Sequence, residues 1–229
     1  MKILICGDSF CVPDANYPLL HWSEKLIQNK SNYHVDNVAV QGCTNAQICL
    51  QVVHGTKFLR PDFVIVSFTQ YNRYEIDRDI TSQFDPSSAH DIKKFYFDRY
   101  RTNMYDLPET REKISIIDRY QMLAASENFE KLKNYFYIEM ILSTLTVQQI
   151  PFCFSLGGFG LTLDYDQFLK YNHIDCITQK WHNQAIKTNL WCEKEELLKR
   201  SQAIFHNEND QTQSAFALEC AEHLHKLSV

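Results

Sequence analysis

The chain has 229 residues and a mass of 27.0 kDa, which suits one large domain and exceeds a small disulfide-stapled peptide. Hydrophobic residues make up 45% of it and charged residues 22%, a composition that excludes collagen, coiled coils and extended disorder. The formal net charge of −5 argues against bulk electrostatic binding to nucleic acid or to an anionic membrane, so we expect neither as a partner.

The first third of the sequence alternates short apolar runs with helical patterns. Residues 2–6 form an apolar run typical of a buried strand in a parallel sheet, and residues 17–28 repeat apolar side chains at helical spacing. A second strand is predicted at 34–40 and a second helix at 46–53. The β-branched run 63–68, bounded by proline and by polar residues, predicts a central strand.

The rest of the chain continues this alternation with longer intervals. A fourth strand is predicted at 151–156 and a weaker fifth strand near 185–191. Helical patterns occupy 109–149, whose later part predicts the crossover helix, and 211–227 at the C-terminus. Because strands alternate with helices, the sequence predicts an α/β class, with three α/β/α layers around a parallel sheet of about five strands.

About eighty residues separate the third and fourth predicted strands, which is more than a crossover helix needs. We therefore predict a single domain, 1–229, with an insertion at about 76–126. The insertion begins with a polar stretch and continues with the aromatic and basic segment 91–105. A lid, a wall of a substrate site, an oligomer contact and a solvated surface excursion all remain open for it.

The eight cysteines are scattered along the chain, and several fall within predicted core elements. None of them forms a CxxC pair, so a structural zinc site or a redox motif has little support. We predict buried free thiols, no metal and no cofactor. The apolar start is too short for a signal peptide, and no stretch reaches membrane-spanning length, which favours a cytoplasmic location.

The tetrapeptide 7–10, Gly-Asp-Ser-Phe, lies where the first strand ends and the first helix approaches. Ligands of open parallel sheets bind beyond the carboxyl ends of the strands. A glycine there allows a sharp turn that exposes the hydroxyl of Ser9, and backbone N–H groups at a helix start can stabilise an oxyanion. Ser9 is therefore a candidate nucleophile, and an ordinary helix-capping serine is the alternative.

A serine nucleophile needs a general base, which is most often histidine. Of the nine histidines, His206 alone lies in a polar loop directly before the predicted C-terminal helix, from which it can reach the strand ends. The remaining histidines lack a comparable context. We predict that His206 accepts the proton of Ser9.

This order of motifs resembles the SGNH hydrolase superfamily, also called GDSL-type, which has a Gly-Asp-Ser block near the N-terminus and an Asp-x-x-His block near the C-terminus. Residues 37–42, from Asn37 to Gly42, are similar to its second block, whose glycine N–H contributes to an oxyanion hole. The resemblance implies a flavodoxin-like α/β/α fold and a serine esterase that works by acyl transfer. It also implies that the N–H groups of Ser9 and Gly42 bind the oxyanion.

The third superfamily block, Gly-x-Asn-Asp, is replaced here by the stretch 69–73, Thr-Gln-Tyr-Asn-Arg. An ungapped match puts Tyr71 at the asparagine position, and a one-residue shift gives the oxyanion-binding role to Asn72. We predict Asn72 as the third donor of the oxyanion hole. Some superfamily sequences from tailed phages have a similar third block, which suggests a divergent phage-encoded member.

The C-terminal block, Asp-x-x-His in the superfamily, lacks its aspartate here. Ala203 stands three residues before His206, where the superfamily has aspartate. A Ser9–His206 dyad, a distant acid such as Asp175, and an inactive enzyme therefore all remain open. The alternative function is a catalytically impaired binding or structural module, for example a component of a phage particle, which would place the protein in the virion.

The resemblance also suggests a substrate class. Small-molecule or carbohydrate esters are the expected partners, with carbohydrate deacetylation favoured because the insertion is rich in aromatic residues. We predict that Asp8, Asn45, Thr69 and Arg73 contribute to substrate binding. Homo-oligomerisation or assembly into a particle is left open.

Overall fold

The computed structural model describes residues 1–13, 21–28, 32–69, 76–77, 88–92, 100–101, 127–156, 168, 170–171 and 210–227. The strands are β1 (Lys2–Cys6), β2 (His34–Asn37), β3 (Phe63–Ser67), β4 (Ile76–Asp77), β5 (Tyr100–Arg101) and β6 (Phe152–Ser155). The helices are α1 (Trp22–Gln28), α2 (Asn45–Leu59), α3 (Glu127–Val147) and α4 (Asp210–Leu227), with a short 3₁₀ helix at Ser9–Cys11. No helix in these ranges is both long and apolar enough to cross a membrane.

Four of the strands form one parallel sheet in the order β2-β1-β3-β6. The central strands β1 and β3 are buried almost throughout, as their contiguous apolar runs predict. The predicted parallel α/β sheet is therefore confirmed, with four strands in the described ranges. The fifth predicted strand, 185–191, lies outside the described residues.

The sheet has an apolar core on each face. Side chains alternate along β1, so that Leu4 and Cys6 face one core while Ile3 and Ile5 face the other. Helices α2 and α3 cover the first face, and α1 and α4 cover the second. The three-layer α/β/α arrangement places the ends of all four strands between two helical layers.

Several predicted bounds shift for physical reasons. Strand β2 ends at Asn37 rather than Val40. The chain beyond Asn37 still runs beside β1, since Val38 N–H donates to Ile5 O at 2.9 Å. Helix α2 continues to Leu59 rather than Val53. Its Gly55 lies against Leu4, where an added Cβ would come within 2.5 Å of the leucine side chain. Close helix-sheet packing therefore carries the helix past the predicted end.

Part of the predicted insertion packs on the domain. Strands β4 and β5 pair antiparallel inside it. Ile92 is fully buried in the core that α2 and α3 cover. The described part of the insertion is thus anchored by an apolar side chain and is not wholly a solvated excursion.

Candidate active site

The segment 7–12, which we call the Ser9 turn, begins directly after the last residue of β1. Asp8 caps the 3₁₀ helix, because its Oδ1 accepts the N–H of Phe10 at 3.1 Å. Ser9 is the first residue of that helix and is 6% exposed. The cap is therefore Asp8, and the Ser9 hydroxyl is not used for capping.

Position 7 of this turn requires glycine, because a larger residue would collide with its neighbours. A Cβ on Gly7 would lie 2.5 Å from Cys11 Sγ and 3.1 Å from Ser67 O. The buried side chain of Gln51, on α2, accepts the Gly7 N–H at 2.8 Å and donates to its carbonyl at 3.3 Å. These two bonds continue the backbone pairing of β1 past its last residue and fix the point from which the Ser9 turn departs.

The loop after β2 lies beside the same turn. Val40 N–H donates to Gly7 O at 3.2 Å, and Asn37 Nδ2 donates to Cys11 O at 2.7 Å. Two residues beyond Val40, Gly42 has a φ of 74°, a left-handed conformation that favours glycine. Gly42 and Ser9 are each two residues from the Val40–Gly7 bond, so both predicted oxyanion donors lie on one edge of the sheet.

The loop after β3 is tied to the other two by Thr69. Its hydroxyl donates to Asp8 Oδ2 at 2.7 Å. Its backbone N–H donates to Asn45 Oδ1 at 2.7 Å, and its carbonyl accepts Asn45 Nδ2 at 2.9 Å. Asn45 Nδ2 also donates to Asn134 Oδ1, on α3, at 2.7 Å. The network connects the ends of β1 and β3 to the first residue of α2 and to α3.

The predicted substrate-binding residues that the structure describes are buried. Asp8, Asn45 and Thr69 are at most 1% exposed and bond to one another or to nearby backbone. This geometry suits positioning of the loops more than contact with a substrate. Asn72, Arg73 and His206 lie outside the described residues, so their predicted roles stay predictions.

The thiol nearest to Ser9 in sequence is not poised to react. Burial raises the pKa of the Cys11 thiol well above its ordinary value, and the neighbouring Asp8 carboxyl raises it further, against a weaker opposite effect of a hydrogen bond with Ser67. A thiol in this state stays protonated at neutral pH. The six cysteines of the described ranges are all buried, as predicted for those positions.

Sequence reasoning missed Gln51, Asn134 and His21. His21 lies with its Nε2 3.0 Å from the carbonyl of Phe10, the residue after Ser9. For Gln51, the one available signal was its place among the apolar residues of a buried helix face, since a buried amide needs a hydrogen-bond partner. Nothing in the sequence indicates which backbone groups these side chains meet.

No protein-family model and no curated protein sequence matches the chain. Among solved structures, it is similar to the psychrotrophic esterase EstA from Pseudoalteromonas sp., in a form inhibited by monoethylphosphonate. The TM-score is 0.50 at 9% identity, over 98% of this chain and 97% of that chain. A protein assigned to the lipolytic G-D-S-L family from Desulfitobacterium hafniense DCB-2 gives a TM-score of 0.42 at 13% identity, over 77% and 78% of the two chains. The likeness to the esterase establishes the fold, and the α/β/α fold that the motifs implied is confirmed.

Proposed function

We propose that this protein is a serine ester hydrolase that acts by acyl transfer, with Ser9 as the nucleophile and His206 as the general base. The observation that carries the proposal is the joining of three loops at one sheet edge. Hydrogen bonds from Val40 to Gly7 and from Thr69 to Asp8 hold the loops after β2 and β3 against the Ser9 turn. Open parallel sheets bind their ligands at this edge.

In the proposed reaction, the Ser9 hydroxyl attacks the ester carbonyl while His206 takes its proton. The tetrahedral intermediate collapses when His206 returns that proton to the leaving alcohol, which leaves an acyl-enzyme. Water, deprotonated by His206, then releases the acid and regenerates Ser9. The N–H groups of Ser9 and Gly42 and the side chain of Asn72 bind the oxyanion, each lowering the barrier by about 3 kcal/mol.

The mechanism operates without an aspartate three residues before the base, because Ala203 is there. We propose a Ser9–His206 dyad in which a backbone carbonyl orients the imidazole of His206; the alternative is a distant acid such as Asp175, which would complete a triad. An imidazole held in one tautomer still accepts a proton from the serine. The dyad predicts slower turnover than that of an enzyme with a complete triad.

For the substrate, we propose an acetylated carbohydrate, with Arg73 orienting its hydroxyl or anionic groups. The aromatic residues of the segment 91–105 suit the apolar face of a sugar. Simple acyl esters and lipid-like esters are the next choices. Release of acetate from acetylated oligosaccharides, compared with hydrolysis of a butyryl ester, separates these classes.

The proposal is tested by hydrolysis of p-nitrophenyl acetate. We expect Ser9→Ala and His206→Ala each to lower kcat/KM by about 10⁴-fold or more. Ser143→Ala is the matched control, since Ser143 lies in the later part of α3 and bonds there to Glu139 and Tyr171. Full activity in a folded Ser9→Ala variant would contradict the proposal.

A second candidate function is a binding module that retains the fold without catalysis, and the absent acid at position 203 favours it. It predicts a wild-type protein that unfolds cooperatively, hydrolyses no ester and binds a glycan with an affinity that Ser9→Ala leaves unchanged. Calorimetric titration with acetylated and deacetylated oligosaccharides distinguishes it from the esterase.

A further inference from the structure

We infer that His21 and Trp22 are positioning residues, which hold the Ser9 turn in place and couple it to α4, the helix that follows His206 in the chain. The inference rests on the proposed function, because it concerns the geometry of the proposed nucleophile and base. Neither residue belongs to the motifs that suggested the site.

The first observation is a double hydrogen bond to one carbonyl. Phe10 O belongs to the residue directly after Ser9. It lies 3.0 Å from His21 Nε2 and 3.0 Å from the indole nitrogen of Trp22, Nε1. A carbonyl oxygen has two lone pairs, so both N–H groups can donate at once. All three side chains are at most 4% exposed, which strengthens these bonds and restricts the turn.

The hydrogen bonds of His21 also assign its tautomer. Ser23 N–H donates to His21 Nδ1 at 3.2 Å, and the Ser23 hydroxyl lies 2.8 Å from the same nitrogen. Because Nδ1 accepts, the ring proton is on Nε2, where it is directed at Phe10 O. Ser23 therefore orients the histidine that holds the turn.

The second observation connects this pair to α4. Trp22 is the first residue of α1, so its backbone N–H has no acceptor within its own helix. Gln213 Oε1, on α4, accepts that N–H at 2.8 Å, and the rings of Trp22 and Phe216 meet edge-on with centroids 4.9 Å apart. Gln213 Nε2 is buried and has no hydrogen-bond partner among the described residues, so the described contact of this amide is made by its oxygen.

The sequence relates this connection to the segment that carries the proposed base. His206 is four residues before Asp210, the first residue of α4. The bonds from Gln213 to Trp22 and from Trp22 to Phe10 thus join the nucleophile's turn to the helix that fixes one end of the segment carrying the base. A displacement of about 1 Å between reacting groups can cost about 100-fold in rate.

The test measures the second-order rate of labelling by a fluorophosphonate probe, together with thermal stability. We expect His21→Leu and Trp22→Phe, which each remove one donor to Phe10 O, to label at least about tenfold more slowly than wild type. His21→Gln supplies an amide donor near the position of Nε2 and should recover most of the rate. In ester hydrolysis, His21→Leu should lower kcat and leave KM within about twofold.

Leu145→Ala is the control, since Leu145 is fully buried in the core on the other face of the sheet. It should lose stability, by the removal of core packing, but label at the wild-type rate. Slower labelling of His21→Leu than of Leu145→Ala at equal stability supports the inference. Equal labelling of the two variants overturns it.

A measurement that needs no catalysis separates this inference from the proposed function. The amides of Cys11 and Val12 donate within the 3₁₀ helix, to Asp8 O and Ser9 O. We expect His21→Leu to speed their hydrogen exchange, and unchanged exchange overturns the inference. If the wild type never labels, the esterase proposal fails, and faster exchange in His21→Leu still supports positioning of the turn.

Discussion

The two edges of the parallel sheet hold their polar groups in opposite ways. At the carboxyl edge, four polar side chains are at most 1% exposed, and each bonds to a loop or to another member of the set: Asp8, Asn45, Gln51 and Thr69. At the amino edge, the Lys2 side chain is 34% exposed; its Nζ donates to Leu59 O at 2.7 Å and lies 3.2 Å from Asp36. A further ion pair joins Lys170 to α3: its Nζ lies 2.8 Å from Glu139 Oε1, and the two side chains are 59% and 42% exposed.

The two sets of polar groups therefore differ in how strictly they fix the positions of their neighbours. Exposed ion pairs contribute little to the free energy of unfolding, and solvent screens them. Buried polar groups are costly when a partner is lost, so they fix geometry strictly without adding much net stability. The carboxyl edge is thus built to hold loops in one arrangement, which is what a catalytic site requires.

The largest stability effect is expected at Asp8. Asp8→Ala leaves the buried Thr69 hydroxyl and the Phe10 N–H without their acceptor, so we expect the free energy of unfolding to fall by about 3 kcal/mol. Urea denaturation measures it. Asp8→Asn keeps an acceptor for Phe10 and should lose about 1 kcal/mol. Equal, small losses in both variants would mean that the network does not hold the turn.

A smaller loss is expected at Gly7. Gly7→Ala places a methyl group against Cys11 Sγ and Ser67 O, and overpacking of this kind costs about 1–3 kcal/mol. In the double variant Gly7→Ala/Cys11→Ala the sulfur is gone, so the two changes should cost less together than the sum of the single changes. Strict additivity in a denaturation cycle would show that the sulfur is not the obstacle.

The smallest effect is expected at the exposed pair of Glu139 and Lys170. Desolvation raises the pKa of Glu139, but hydrogen bonds from Lys170 and Tyr171 outweigh it, so the pKa lies below its ordinary value of 4.5. The carboxylate therefore stabilises the fold above about pH 4.5, and this contribution is lost as the pH falls below that value.

We expect Glu139→Gln to shift Tm at pH 7 by less than about 2 °C, because the groups are exposed. The gap between variant and wild type should close further as the pH is lowered. A large shift that persists at pH 3 would show that this exposed pair contributes substantially to stability and would weaken the comparison of buried with exposed polar groups.

The strands of the sheet could be predicted from sequence because a buried parallel strand must be apolar on both faces, as in β1 and β3. The place of Ser9 could be predicted because a glycine directly follows a buried strand there. Both inferences use neighbouring residues only.

The supports of the turn could not be predicted. Gln51 meets Gly7 across 44 positions, and Gln213 meets Trp22 across 191. Periodicity shows which face of a helix is buried but not which backbone group a buried amide meets. His21 looked like any other histidine because its role depends on a carbonyl eleven residues away, brought close by the turn.

The central claim is that Ser9 is an activated nucleophile. The most direct measurement is mass spectrometry of peptides after reaction with a fluorophosphonate probe. We predict one adduct per chain, located on Ser9, absent from Ser9→Ala and strongly reduced in His206→Ala. An unmodified Ser9 in a folded protein, or an adduct on another residue, would contradict the account.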